Sequence, residues 1–470
     1  MNRREFGLLT VAGLASRSLC ADNDTLYHEK YRPQFHFTPQ KGWTNDPNGL
    51  VFYRGEYHLF FQHNPFGTRW GNMTWGHAIS RDLVHWKQLA NAIEPDARGT
   101  IFSGSAVVDA DNTAGLQSGE EKTLVAIYTA AGGTSPESKG QPFTQCLAYS
   151  NDRGRTWIKY SGNPVVPHMV GENRDPKVVW HEPTKHWIMA LFLDGNTYRF
   201  LASPNLKNWT ILPDITVPGA AECPDFFEMA VENETSSTKW VWTGANDHYL
   251  IGAFDGRRFI PEVMTQPGHY GQNYYAVQTY SGLANARRVQ VGWMSGGEYP
   301  DMPFNQQMSF PYELKLRRFG LLLKLCALPV REVESLYDTE RSWNDVEVKP
   351  GDNPLAVFSG DLWDVDAEIA PGSAMSFGFR IGGRSVTYHV KEKRLSNGDA
   401  TADMLPADGR VRIRVLADRT SLEVFGNNGE VVIPCCFLPD DTDQTLEVFV
   451  EGGVARVASM SVHKLKSIWR

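Results

Sequence analysis

Three acidic residues stand out by the company they keep. Asp46 lies in Trp43-Thr44-Asn45-Asp46-Pro47-Asn48-Gly49-Leu50, Asp175 in Arg174-Asp175-Pro176, and Glu222 in Glu222-Cys223-Pro224-Asp225. Asn, Asp, Pro and Gly make turns, so each motif alone reads as a bend in the chain. Each, however, runs at once into a strand-like apolar stretch: LVFY, KVVW and FFEMAV. Two carboxyl groups held across a sugar ring suffice to hydrolyse a glycoside. One protonates the leaving oxygen while the other attacks the anomeric carbon or activates water. Asp46, short and ionised at neutral pH, is the type expected of a nucleophile. Glu222 has the longer reach, and its neighbours Cys223, Phe226 and Phe227 would raise its pKa as a general acid requires. Asp175, beside Arg174, would stay charged because a guanidinium favours the carboxylate. That suits holding sugar hydroxyls and stabilising an oxocarbenium-like transition state.

Acids so far apart in the chain need an architecture that gathers them. The segments AISRDLVHW (78–86), AYSNDRGRTW (148–157), LASPNLKNW (201–209) and, more faintly, GAFDGRRFI (252–260) share one plan. Each gives a strand end, a Ser/Asp/Asn/Gly turn and a large aromatic, the pattern of a hairpin. Upstream of each lies an apolar strand (HLFFQHNP, TLVAIYTA, HWIMALFL, KWVWTGA), and RVQVGWMS makes a fifth without the hairpin motif. Before each of these five comes a shorter strand. Five repeats of this grammar predict a five-bladed β-propeller. The first strands begin at Asp46, Ser103, Asp175, Glu222 and Tyr275. Since the first strand of every blade lines the axis, those five positions are expected at one mouth of the channel.

Composition bounds the alternatives. The chain has 470 residues, more than one ordinary core holds. It carries a net charge of −8 without a basic cluster, which argues against nucleic acid or an anionic membrane as partner. The head MNRREF, the apolar GLLTVAGLA and the exit SRSLCA have the shape of a secretory signal over residues 1–21, too short to span a membrane. Arg3-Arg4-Glu5-Phe6 resembles a twin-arginine signal, so export to the periplasm or the outside is expected. Cys146, Cys223, Cys326, Cys435 and Cys436 are too sparse for a disulfide framework and read as small buried residues. Neither they nor His58, His63, His77 and His85 have zinc-ligand spacing; the histidines read as ordinary hydrogen-bonded ones. For Trp43, Trp70, Trp75 and Trp293, core packing and sugar stacking weigh about equally.

Beyond LYDTERSW, the stretches AMSFGFRIGG, RSVTYHVKEK, VRIRVLADRTSLEVFGNNGEVVIP, TLEVFVEGG and VARVASMSVHKL alternate apolar and polar residues between regular turns. This predicts a β-sandwich. The expected layout of this all-β chain is a propeller over 28–330, a linker over 331–343 and a sandwich over 344–470.

WTNDPNGL, FSGSAV, RDP and ECPD, in this order, resemble glycoside hydrolase family 32, the β-fructofuranosidases. HLFFQHNP, WGNMTWGHAIS and the C-terminal RTSLEVFGNNGE extend the likeness over the mature chain. The resemblance implies a propeller plus sandwich, a retaining mechanism acting on fructans or sucrose, and no metal or cofactor. Matched by motif, Asp46 is implied as nucleophile, Glu222 as acid/base and Asp175 as transition-state stabiliser. Asn45, Gln62, Trp70, Phe102, Ser103, Arg174 and Trp293 are implied to line the fructose subsite. Retention implies Asp46 and Glu222 carboxyls about 5–5.5 Å apart. The chain departs from the family pattern at Pro311-Tyr312-Glu313-Leu314 and at Gly268–Asn273, both expected near the outer subsites. Fructosyl transfer is the nearest enzymatic alternative; a propeller that binds fructan without turnover is the alternative of another class. The joint presence of Asp46, Asp175 and Glu222 favours an enzyme.

Overall fold

The computed structural model describes residues 26–234, 237–284, 287–440 and 443–469. The signal expected over 1–21, with its arginine pair, lies outside the described residues. Five antiparallel sheets follow one another along the chain, each beginning with its innermost strand. Those inner strands are Gly42–Tyr53, Thr100–Asp109, Arg174–His181, Asp225–Ala230 and Tyr275–Thr279. They contact one another in sequence, and Val51 bridges to Ser281, so the fifth closes on the first. The propeller is thus five-bladed. A short strand from the fifth blade, Phe304–Asn305, pairs in parallel with Gly42–Trp43 and adds a second tie between the ring's ends.

The repeated turn motifs sit between third and outermost strands of the first four blades, and their polar residues fix the bend. Asp82 Oδ1 accepts the amides of Val84 and His85, Asn205 Oδ1 those of Lys207 and Asn208, and Asp255 Oδ1 those of Arg257 and Arg258. Trp157 and Trp209 fold back and donate their indole N–H to Gly154 and Leu206 carbonyls. The fifth blade ends instead in the plain hairpin Tyr312–Phe319 and Leu322–Pro329.

The second domain is a sandwich of a six-stranded and a five-stranded sheet over a core that includes Trp363, Phe377, Phe379 and Tyr388. The linker expected over 331–343 shrinks to the 3₁₀ turn Arg331–Leu336, because Tyr337–Val348 already pairs with Ala455–Leu465. That edge strand is exposed along most of its length, so it carries no regular apolar alternation to announce it. Among the described residues no helix is long and apolar enough to cross a membrane.

The two domains share one core, in which Phe310, Tyr312 and Leu325 pack with Leu416, Phe425 and Val432. Within this seam the His36 imidazole sits between Asp418 (2.8 Å) and Glu423 (2.8 Å), all three side chains fully buried. Asp418 also accepts the amides of Gln34, Phe35 and His36, and Glu423 accepts the Tyr312 hydroxyl at 2.6 Å. The Trp469 indole donates to the Pro33 carbonyl at 2.6 Å. Both departures from the family pattern belong here too. Tyr312 faces Glu423, the Tyr270 amide bonds the Val432 carbonyl, and a Cβ on Gly271 would meet the Pro434 carbonyl at 2.0 Å. The expectation that they lie near the outer subsites is therefore corrected: they shape the domain seam, which linear spacing could not distinguish from the funnel rim.

Candidate active site

The starts of the five inner strands meet around one pocket of about 410 Å³. Asn45, Asp46, Gln62, Trp70, Phe102, Ser103, Arg174, Asp175, Glu222 and Trp293 all line it. Thr134, Phe143, Glu172 and Tyr275 join them without having been singled out as site residues. Tyr275 had a signal, since it opens the fifth inner strand as Asp46 falls within the opening of the first. The other three come from loops that repeat nothing.

The backbone bends where the acids stand. Register shifts between Thr44 and Pro47, Phe102 and Gly104, Arg174 and Lys177, and Tyr275 and Gln278 place a bulge at the start of four inner strands. In the fourth blade Glu222 and Cys223 take φ of 38° and 28°, and Asp175 in the third takes 63°. Non-glycine residues avoid this left-handed region, and such strain gathers at functional sites. A bulge re-aims side chains and lets five strand ends turn their polar groups into the same space. One turn further in, Lys177 bonds Asp225 at 3.0 Å and the Thr279 carbonyl at 2.9 Å, tying three blades together.

Asp46 is held from both sides: Ser103 donates to one oxygen at 2.6 Å and Asn45 to the other at 2.8 Å. Glu222 is gripped likewise, by Arg174 on one oxygen at 2.5 Å and by the Tyr275 hydroxyl on the other at 2.8 Å. Asp175 accepts the Cys223 amide at 3.1 Å and lies 3.7 Å from the Arg174 guanidinium. The Cys223 sulfur stands 3.4 Å from Asp175 and 3.7 Å from Asp46, so two carboxylates face each other across one atom. Burial, with acid neighbours, drives this thiol well above its ordinary pKa and keeps it protonated. Cys146, Cys223, Cys326, Cys435 and Cys436 are all free, with Cys435 and Cys436 only half-buried.

Two expectations about charge are corrected. Asp175 does not remain an ordinary carboxylate beside Arg174. Burial pushes it up to about 7, the arginine opposing this and Glu222 and Asp46 adding to it. Asp46 is likewise pushed upward, by burial first, against the bonds from Ser103 and Asn45. Desolvation of a fully enclosed carboxylate outweighs one guanidinium at 3.7 Å, which sequence adjacency cannot reveal. Nor do Phe226 and Phe227 surround the Glu222 carboxyl. They are strand residues buried in two separate cores, and the carboxyl faces Arg174 and Tyr275 instead.

Aromatic rings wall the pocket on two sides. Trp70, Phe102 and Phe143 form an edge-to-face row with centroids 5.9 and 5.6 Å apart. Trp43, Trp293 and Tyr275 form another at 6.2 and 6.3 Å. Trp75 is different: fully buried, it donates to the Phe102 carbonyl and belongs to the core. The histidines are hydrogen-bonded, with His58 on His77, His63 on the Trp43 carbonyl and His85 on Asp82.

Residues 36–325 match the Glycosyl hydrolases family 32 N-terminal domain and residues 332–464 its C-terminal domain. The chain is 40% identical over 513 residues to a levanase from Bacillus subtilis (strain 168), covering 98% of this chain and 74% of that protein. It is 30% identical over 519 residues to an extracellular exo-inulinase from Aspergillus awamori, covering 94% and 96%. The crystal structure of the Aspergillus awamori exo-inulinase superposes with a TM-score of 0.85 at 29% identity, over 94% of this chain and 100% of that one. A fructofuranosidase from Schwanniomyces occidentalis complexed with fructosylnystose gives 0.85 at 26% identity, over 94% and 99%. Two domain matches spanning most of its length, and relatives alike from end to end, make this chain a member of glycosyl hydrolase family 32.

Proposed function

We propose that the protein is an exported, retaining β-fructosidase that hydrolyses fructofuranosyl linkages in fructans, in sucrose or in both. The observation that carries this reading is the convergence of Asp46, Asp175 and Glu222, from three blades, on one aromatic-walled pocket. Support comes from the levanase and exo-inulinase names of its relatives. The extracellular setting of the exo-inulinase supports export.

In this mechanism an Asp46 oxygen attacks the anomeric carbon of the fructosyl unit as the bond to the leaving oxygen breaks. Glu222 gives its proton to that oxygen. The Glu222 carboxylate then takes a proton from water, the water oxygen bonds the anomeric carbon, and Asp46 is released. Ser103 and Asn45 keep Asp46 in line and favour its ionised form. Arg174 and Tyr275 fix the reach of Glu222 through both phases. Asp175 holds sugar hydroxyls and, in its ionised form, balances positive charge growing on the ring. Asn45, Gln62, Trp70, Phe102, Ser103, Arg174 and Trp293 form the subsite for the fructosyl group that is transferred to Asp46.

Chromatography of products from sucrose, inulin and levan tests the reading and resolves linkage and mode of attack. Fructose alone signals cleavage from chain ends, and a ladder of oligomers signals internal cleavage. Release of no fructose or fructo-oligosaccharide from any of the three would end the proposal.

A further inference from the structure

A second cavity lies away from the carboxylate pocket. A trough of about 660 Å³ opens where the tip of the last propeller hairpin meets the outer face of the six-stranded sandwich sheet. It shares no lining residue with the carboxylate pocket. Its floor is two rows of polar side chains running straight across the strands. Register places Ser342 opposite Ser461 and Ser461 opposite Asp366; beside them Asn344 lies opposite Ser459, Ser459 opposite Glu368, and Glu368 opposite Arg412.

Two features specify what would fit there. The charges are matched within the trough and its rim: Arg412 forks onto Asp366 at 2.9 and 2.6 Å, Arg410 bonds Glu368 at 3.0 Å, and Arg317 pairs with Glu232 at 2.6 Å. Guanidiniums already satisfied by carboxylates do not call for an anion, and the pairing fixes their planes as hydrogen-bond donors. The hairpin wall supplies an aromatic face, Phe319, which is 37% exposed. Fixed planar polar groups, small hydroxyls and one ring suit a neutral, polyhydroxylated chain, whose C–H faces stack on rings while its hydroxyls bond forked polar groups.

We propose that this trough is a second carbohydrate-binding site, which holds a fructan chain at a distance from the cleavage pocket. The assignment rests on the fructosidase reading for the identity of the sugar. Its consequence is an advantage confined to polymers. A long chain engaged at two sites gains effective concentration at the pocket, whereas a sugar too short to reach both gains nothing.

The test compares levan and inulin with a fructose-terminated trisaccharide. Phe319→Ala, and separately Ser459→Trp with Ser461→Trp to fill the floor, should lower kcat/KM on a polymer about tenfold. The same variants should leave the trisaccharide unchanged, which also certifies the fold. In the Asp46→Asn background, which leaves polymer intact, affinity electrophoresis in gels containing levan or inulin should show the parent retarded and the trough variants running free. Equal effects on polymer and trisaccharide, or none on either, would overturn the site. Absence of any fructoside turnover by the native chain would instead sink the fructosidase reading and leave the retardation experiment to decide the trough.

Discussion

Buried carboxylates gather twice in this molecule, with opposite results. At the domain seam, Asp418 and Glu423 enclose His36, and every charge has a partner at hydrogen-bond distance. There burial works against charge, yet Glu423 and Asp418 raise the imidazole to about 9, and His36 with the amides of Gln34 and Phe35 holds Asp418 below its ordinary value. In the pocket, Asp46, Asp175 and Glu222 share one guanidinium, and its shortest bond goes to Glu222. Burial then prevails, so Asp46 and Asp175 are held above the usual carboxylate range. A cluster that brings its own cation becomes structure, and one left short of a cation keeps carboxyls whose ionisation burial opposes.

The most severe way to break this contrast is at the pocket. Asp46→Asn should lower kcat by about ten-thousand-fold or more while the melting temperature stays near that of the native chain. Near-normal turnover would remove Asp46 from the role of nucleophile. At the seam the losses should reverse. His36→Gln strips the cation from two buried acids and should cost about 3–5 kcal/mol of unfolding free energy in denaturant titration. Turnover per folded molecule should be unaffected.

The two clusters also lose stability over different stretches of pH, although both weaken as pH rises. His36 has a native pKa near 9 against an ordinary value of about 6.5, so its stabilisation is complete below about 6.5 and disappears as pH rises through about 9. Asp175 holds its proton to about 7 in the native state but only to about 3.9 when unfolded. Its contribution therefore declines as pH climbs between those values. Asp175→Asn cannot ionise, and should be more stable than the native chain by about 2 kcal/mol at pH 8, with the gain gone at pH 3. Calorimetry across that range checks both, and a stability gain independent of pH would contradict the uncompensated charge. The gentlest probe is Ser103→Ala. Removing a bond that favours ionised Asp46 should move the acidic limb of kcat/KM to higher pH and cost about ten- to a hundredfold in rate.

The sequence disclosed who meets whom far better than how they behave together. Asp46, Ser103, Asp175, Glu222 and Tyr275 could be brought together because each stands at or close to the start of an inner strand, and a closed ring of strands makes equivalent positions neighbours. Thr134 and Phe143 escaped because they lie on an irregular loop of the second blade, where no repeat fixes position. The charge states escaped for another reason. They depend on depth and on which acid the Arg174 fork meets first, and a guanidinium one residue away in sequence reaches 48 positions on to Glu222. The edge strand Tyr337–Val348 was illegible because only Tyr337, Trp343, Val346 and Val348 turn to a core, at spacings too uneven to show the alternation by which strands are recognised.

The seam carries one more consequence, for the order of assembly. The strap of residues 33–36 is fastened by Asp418 and by Trp469, partners translated several hundred positions later. Early blades can collapse as they are made, but the strap has nothing to grip until the tail arrives. Closing the strap is thus a late event in folding, and Trp469→Phe, which deletes the indole donor, should loosen residues 33–36 while leaving the carboxylate pocket in place.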